Sequence, residues 1–391
     1  MNSRARRLTV PLTGLLLVAG AMGATSAGAS ATAGTAGGAT ASTTASTTAS
    51  SFTAPKDVVS SAASETPAEA TSFWSPERMR QATDATGSLE LSVRGGKASP
   101  AAGPDGKAGS VPPIGPQGKG TKSKQVNLPN TVGRAFFTLP GANPRDPKSW
   151  KYCSGTSVQG KYRNVVATSA HCVYDVKTNR FYDNWIFIPS YWDGDQAWDG
   201  KNPYGIYAAK WFNAHDDFVV KEDYDYDYAF VNVHSGFKVN WEKGTGGKWK
   251  PVIKKVGRLG DNVGGQGFAW NQKVKNKVFS FGYPAGAHPD GDKPYTGRTM
   301  KWCYGTTGAM PAAPQYNIQE HVGFKCAFTA GASGGPFLLK YKSSTRTGYL
   351  SGVNSVAWDT DKNDRYDRIS SPYFNGETYQ VYKVAANRWT S

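Results

Sequence analysis

From about Asn130 onward the hydrophobic residues come in short runs, each closed by turn residues, and this pattern constrains the fold more than any other feature. Residues 132–139, 165–169, 185–188, 228–233, 278–283, 336–339 and 349–356 are such runs, rich in β-branched and aromatic side chains. Turn signals such as Asp193-Gly194, Asp199-Gly200, Asp290-Gly291 and Asn375-Gly376 lie between them. Runs of that length bounded by Gly, Asp and Asn read as strands. Many short strands of this kind predict an all-β protein, a barrel or a sandwich. The last stretch differs: Val381, Tyr382, Val384, Ala385 and Trp389 recur at roughly helical spacing, which predicts a C-terminal helix.

The chain before Asn130 has another character. Hydrophobic residues make up 39% of the whole, a low figure for a chain that packs throughout, and the deficit is local. Arg4, Arg6 and Arg7 precede an apolar stretch from Leu8 to Ala19, followed by the small residues Ala27-Gly28-Ala29. This is the form of a secretory signal, expected over residues 1–29. The apolar stretch is too short to cross ~30 Å of hydrocarbon comfortably. An extracellular protein with no membrane segment after signal removal is therefore expected. Residues 31–51 repeat Ala, Thr, Ser and Gly and bury too little apolar surface to offset their ordering entropy. Residues 52–93 carry scattered apolar side chains that could form a short helix, and residues 94–126 are rich in Gly, Pro and Lys, as a linker would be. Residues 30–130 thus read as a pro-segment and flexible low-complexity linker, with a cut site the sequence does not mark. Residues 131–391 read as the folded body.

Export makes the cysteines informative, because disulfides persist in an oxidising compartment. Four cysteines allow three pairings. Local pairing, Cys153 with Cys172 and Cys303 with Cys326, is preferred because each bridge closes a loop of about 20 residues, contributing roughly 3 kcal/mol in the chain-entropy model. No CxxC or close Cys/His pair supports zinc, so no metal and no cofactor are expected. The formal net charge of +16 could draw anionic partners. The lysines around 248–277 are scattered outside any nucleic-acid-binding module, so solubility is the preferred reading, with a monomer and no nucleic acid.

Three segments carry chemistry. Val165-Val166-Ala167-Thr168-Ser169-Ala170-His171-Cys172 is a buried strand delivering a histidine, pinned by the neighbouring cysteine. A general base needs such rigidity, since a misplacement of ~1 Å can cost ~100-fold in rate. In Asp223-Tyr224-Asp225-Tyr226-Asp227-Tyr228-Ala229 alternation places the three aspartates on one face. Asp227 leads directly into an apolar strand and is the preferred orienter of the imidazole, with Asp225 next; a solvated acidic face accounts for Asp223 and Asp225. In Gly331-Ala332-Ser333-Gly334-Gly335-Pro336 the glycines permit a tight turn that exposes the serine. The N–H groups of Gly331 and Ser333 would form an oxyanion hole. The turn also satisfies the G-x-S-x-G elbow of α/β-hydrolases, but there the histidine follows the serine, whereas all five histidines here precede Ser333.

Taken together these segments resemble the chymotrypsin-like serine peptidases. Residues 168–172 are similar to that family's histidine motif, Asp227-Tyr228-Ala229 to its aspartate motif and residues 331–336 to its serine motif. Cys153-Ser154-Gly155-Thr156 is similar to the strand whose cysteine pairs with the one after the histidine. Within the family, Val132-Gly133-Arg134-Ala135-Phe136-Phe137, Ile188-Pro189-Ser190-Tyr191 and Gly282-Tyr283-Pro284 resemble the secreted bacterial branch that includes glutamyl endopeptidases. The resemblance covers about Thr131 to the C-terminus. It implies two six-stranded antiparallel β-barrels, about 131–245 and 246–391, with the site between them and His171, Asp227 and Ser333 as the triad.

Two departures matter. Ala332 stands where zymogen-activated members carry an aspartate for the freed N-terminus, and Ala327 where trypsin-like members carry the aspartate that selects Arg or Lys. The resemblance places Ala327, Phe328, Thr329, Asn354 and Ser355 around the substrate pocket. Glutamate-specific members carry a histidine where Asn354 falls. Elsewhere, residues 359–364 resemble the opening of a calcium loop but lack its glycine, so an ordinary turn is expected. The aromatic stretch 181–212 is read as barrel packing rather than a carbohydrate site. The function expected is a secreted serine endopeptidase acting on protein or peptide through an acyl-enzyme. The alternative is a catalytically silent homologue acting as a secreted binding protein.

Overall fold

A computed structural model describes residues 55–84, 92–94, 101–117, 127–192, 202–244 and 249–390. The signal, the low-complexity stretch 31–51, parts of the linker and the turns at 193–194 and 199–200 lie outside the described residues.

The strands Val132–Thr138, Trp150–Val158, Val165–Thr168, Asp183–Pro189, Tyr207–His215 and Ala229–Val233 close on themselves as an antiparallel barrel. Strand alternation sorts their side chains. Ala135 and Phe137 join one buried cluster with Cys153, Val166 and Phe187, while Val132 and Phe136 join another that reaches the second half of the molecule. Both faces are covered, which is why every residue of Val132–Thr138 is buried.

The second barrel is assembled from two mostly antiparallel sheets, to which Gly267–Trp270 and Ser92–Arg94 add in parallel. In one, Lys301–Thr306, Lys277–Gly282, Pro336–Lys342 and Thr347–Val353 are neighbours in that order; in the other, His321–Lys325, Arg368–Pro372 and Val356–Asp359. Thr347–Val353 and Val356–Asp359 are two parts of one extended run, interrupted at Asn354 and Ser355, that passes from the first sheet to the second. The disulfide Cys303–Cys326 ties the sheets together on the other side, and Cys153–Cys172 braces the first barrel, so both bridges take the local pairing.

The helix Gly376–Ala386 begins at Asn375, whose side chain accepts the Thr378 N–H while Thr378 reaches back to the Asn375 N–H. Its buried residues include Val381, Tyr382, Val384 and Ala385. The Tyr382 ring stacks on Phe268, centroids 4.1 Å apart, and lies 5.6 Å from Phe230 of the first barrel. Trp389, predicted on the same face, is exposed beyond the helix end.

The N-terminal segment is built into this body. Val58–Ala62 adds to Tyr207–His215 as an antiparallel strand. The helix expected within 52–93 is realised as two short ones, Pro67–Phe73 and Pro76–Gln81, capped by Thr66 and Ser75. Between them Trp74 is fully buried against Phe136, and its Nε1 donates to the Asn184 carbonyl at 2.7 Å. Losing such a side chain costs about 3–5 kcal/mol. The expected linker is also partly ordered: Gly109–Val111 pairs antiparallel with Gly267–Trp270. Strand pairing uses backbone groups, so a Gly- and Lys-rich composition does not prevent it.

Candidate active site

The strand Val165–Thr168 is buried throughout and ends in a tight turn, Ala170–Cys172, that carries His171. The Cys172–Cys153 bridge ties that turn to the adjacent strand. Ala229–Val233 pairs with Val165–Thr168, Ala229 opposite Thr168, which brings Asp227, two residues upstream, alongside the histidine turn. The Asp227 carboxylate grips His171 twice, accepting its backbone N–H at 2.8 Å and meeting Nδ1 at 2.7 Å. The Ser355 hydroxyl donates a third hydrogen bond at 2.6 Å, arriving from the second barrel. Burial alone would raise the Asp227 carboxyl, but the neighbouring His171 and the hydrogen bonds from His171 and Ser355 outweigh it and hold the group below its ordinary value.

With Nδ1 donating to a carboxylate, neutral imidazole carries its lone pair on Nε2. That atom is buried and without a hydrogen-bond partner. Asp223 and Asp225, expected on a solvated face, are instead half-buried backbone caps. Asp223 accepts the Asp225 N–H, and Asp225 accepts those of Gln319 and Glu320. Burial raises both carboxyls to about 6.

Ser333 sits in a turn pressed onto the first barrel. Its carbonyl accepts the Ser154 N–H at 2.8 Å, and the Gly331 carbonyl accepts the Ser154 hydroxyl at 2.8 Å. Gly331 and Gly334 have φ of +93° and +79°, where side chains are strained. A Cβ at Gly331 would lie 2.6 Å from the Tyr152 hydroxyl, and one at Gly334 would lie 2.1 Å from Thr168 Oγ1 and 3.1 Å from the Ser169 N. The serine turn therefore docks on the segment that carries His171. Within the turn the N–H groups of Ala332, Gly334 and Gly335 are bonded to the carbonyls of Thr329, Asn354 and Ala332. Among the described residues no acceptor takes the N–H of Gly331 or Ser333. These are the two donors the sequence singles out.

The predicted pocket residues separate. Ala327 is exposed, Phe328 and Thr329 are buried, and Thr329 Oγ1 has no partner. Phe328 lines a cavity of about 360 Å³ with Leu128, Trp192, Tyr295, Met300 and Trp302. Asn354 lies under the serine turn: its Nδ2 donates to the Ala332 carbonyl at 3.2 Å, and its own carbonyl accepts the Gly334 N–H and the Ser169 hydroxyl. Ser355, expected at the pocket wall, has its hydroxyl on Asp227. That contact joins residues 128 apart in the chain, and no local sequence signal marks it.

Among the described residues two groups bring potential metal ligands together. Cys153, His171 and Cys172 form one, but both sulfurs are consumed in the disulfide. His215, Asp216 and Asp217 form the other, where His215 Nδ1 accepts the Asp217 N–H as a helix cap. The calcium-like stretch closes on itself, Asp359 accepting the N–H groups of Asn363 and Asp364.

No family model matches the chain, and no curated protein matches it. Solved structures do. Protease Anisep from Arthrobacter nicotinovorans is 28% identical with a TM-score of 0.50, covering 66% of this chain and 97% of its own. The thermostable serine protease AL20, from an extremophilic microorganism, is 24% identical with the same TM-score and the same coverage. A Glu endopeptidase structure is 14% identical with a TM-score of 0.45, covering 69% of this chain and 99% of its own. By fold the chain is similar to these two proteases and shares their chymotrypsin-like two-barrel architecture.

Proposed function

We propose that the chain is an exported serine endopeptidase that cleaves peptide bonds through Ser333, His171 and Asp227. One observation carries the reading: Asp227 holds His171 through Nδ1 and leaves Nε2 buried and unbonded, beside a serine turn with two unused N–H groups. Ser333 Oγ attacks the scissile carbonyl while its proton passes to His171 Nε2. The N–H groups of Gly331 and Ser333 receive the oxyanion, each such donor being worth about 3–4 kcal/mol in the transition state. Collapse expels the amine, which takes the proton from His171 and leaves an acyl-Ser333 ester. Water then attacks the ester, giving its proton to His171, and Ser333 recovers its hydroxyl as the acid departs. Asp227 orients the imidazole and stabilises its cation throughout.

Export is supported by the signal-like N-terminus and the two disulfides. No helix of the described residues is long and apolar enough to cross a membrane. The exposed methyl of Ala327 and the largely apolar cavity beside Phe328 support small or apolar P1 residues over Arg or Lys. A peptide library should show no preference for Arg or Lys at P1, and strong tryptic cleavage would overturn that assignment. The central test is a fluorophosphonate probe on the secreted protein beside Ser333→Ala. Labelling absent from the control is expected. No labelling of folded, processed protein would make the chain a silent homologue.

A further inference from the structure

The formal charge of +16 is unevenly distributed. Between residues 262 and 358, which supply most strands of the second barrel, the only acidic residues are Asp290, Asp292 and Glu320. Arg365 holds the first two, at 2.7 and 2.8 Å. Strand pairing gathers lysines that lie apart in the sequence. Val278 is opposite Leu339, which sets Lys277 across from Lys340, and Gly282 is opposite Lys301.

The same sheet exposes aromatic rings. Trp302 and Tyr304 alternate to one face of the edge strand Lys301–Thr306 and are 56% and 49% exposed. Phe279 of the neighbouring strand packs behind them, its centroid 5.9 Å from Trp302, 4.6 Å from Tyr304 and 5.5 Å from Tyr341. Adjoining exposed rings of this size mark a binding face rather than unburied core. At one end of the strip Trp302 lines the cavity beside Phe328. At the other, Phe279, Tyr304 and Tyr341 line a second cavity of about 320 Å³, with Lys277 and Lys340 in its wall. Gln272 and Asn276 also line it. Gln272 donates to the carbonyls of Gly109 and Trp270 and Asn276 to that of Lys273, so each keeps its side-chain oxygen for a hydroxyl.

We propose that this aromatic, lysine-flanked face of the second barrel binds an acidic polysaccharide. The inference goes beyond the serine-peptidase reading and does not depend on it. Exposed rings stack on the apolar C–H faces of sugars, lysines meet their carboxylates, and the two amide oxygens accept their hydroxyls. A nucleic acid suits the face less well. Its phosphate backbone offers the amide oxygens no donor, and the charges here are lysines, without the planar fork with which arginine grips phosphate and bases.

The test titrates the full-length protein at low salt with polygalacturonate, with neutral dextran and with single-stranded poly(dT). Polygalacturonate should bind, more weakly as salt rises, and dextran should not. Trp302→Ala/Tyr304→Ala leaves the charge unchanged and should weaken polygalacturonate binding about tenfold or more. Lys277→Gln/Lys340→Gln should lower the slope of log Kd against log salt by about two. All four side chains are exposed, so both variants should keep the native far-UV spectrum. No binding, or binding that the aromatic variant leaves unchanged, would overturn the inference. Equal binding of dextran would remove the role of charge and overturn it as well. Tighter binding of poly(dT) through the same four residues would replace the polysaccharide with a nucleic acid.

Discussion

His171 and His321 are both buried imidazoles near the barrel interface, 1% and 0% exposed, but their ring nitrogens are treated differently. His321 is bonded on both sides, Nδ1 to the Ser370 hydroxyl and Nε2 to the Tyr224 carbonyl, each at 2.8 Å. Since a carbonyl only accepts, Nε2 carries the proton and the Nδ1 lone pair is taken by the hydroxyl. Burial lowers its pKa to about 4. His171 has a carboxylate on Nδ1 and nothing on Nε2. A buried histidine becomes a candidate base through the one bond it lacks, and a structural pin when that bond is present.

The comparison can be broken most sharply at the nucleophile. Ser333→Ala or His171→Ala should lower kcat for peptide hydrolysis by about 10⁶-fold, since the members of such a set fail as a unit; a loss of only a few fold would remove His171 from the chemistry. Asp227→Asn keeps the shape but favours the wrong tautomer, so kcat should fall by about 10⁴-fold with the far-UV spectrum unchanged. Ser355→Ala removes one hydrogen bond to a charged group, and about a tenfold loss is expected. That bond favours the ionised carboxylate, so its loss should also move the acid limb of the pH profile upward. An unmoved limb would reduce Ser355 to a space-filling role.

His321→Gln sharpens the other side of the comparison. Activity should stay within about threefold while stability at pH 7 falls by about 1–3 kcal/mol, read by denaturant unfolding. The pH dependence has a definite sign. With its folded value below the ordinary 6.5, His321 contributes fully above about 6.5, and that contribution is lost as pH falls toward about 4. Asp225, raised to about 6 by burial, acts in the opposite sense: its contribution is present below about 3.8 and is lost as pH rises through about 6. The variant deletes only the histidine's contribution, so its deficit should shrink between pH 7 and pH 5. A constant deficit would mean that His321 titrates normally.

The pairing of His171 with Asp227 was legible because each lies in a short segment whose chemistry is local, a strand end beside a cysteine and an acid before an apolar run, and Ser333 stands out in the same way as a serine among glycines. The bond from Ser355 to Asp227 was not legible because its partner lies on the other barrel, and the register between barrels leaves no local trace. The contact of Asn354 was hidden for a related reason: its side chain turns under the serine loop toward Ala332. Asp223 and Asp225 alternate with Asp227 as expected of an extended chain, but a tight turn over Tyr224–Tyr226 sends them to backbone N–H groups. The strands at Val58–Ala62 and Gly109–Val111 were hidden because composition reports side chains, and these pieces are held by their backbones.

The seam between the barrels is stitched by a few hydroxyls: Ser154 to Gly331, Ser169 to Asn354 and Ser355 to Asp227. Each of these bonds has one end on a member of the site or within two residues of one. Turnover should therefore behave as a fine gauge of barrel docking. On gentle warming peptide hydrolysis would cease while the circular dichroism still looked native, and on cooling it would resume as soon as the two halves re-engaged.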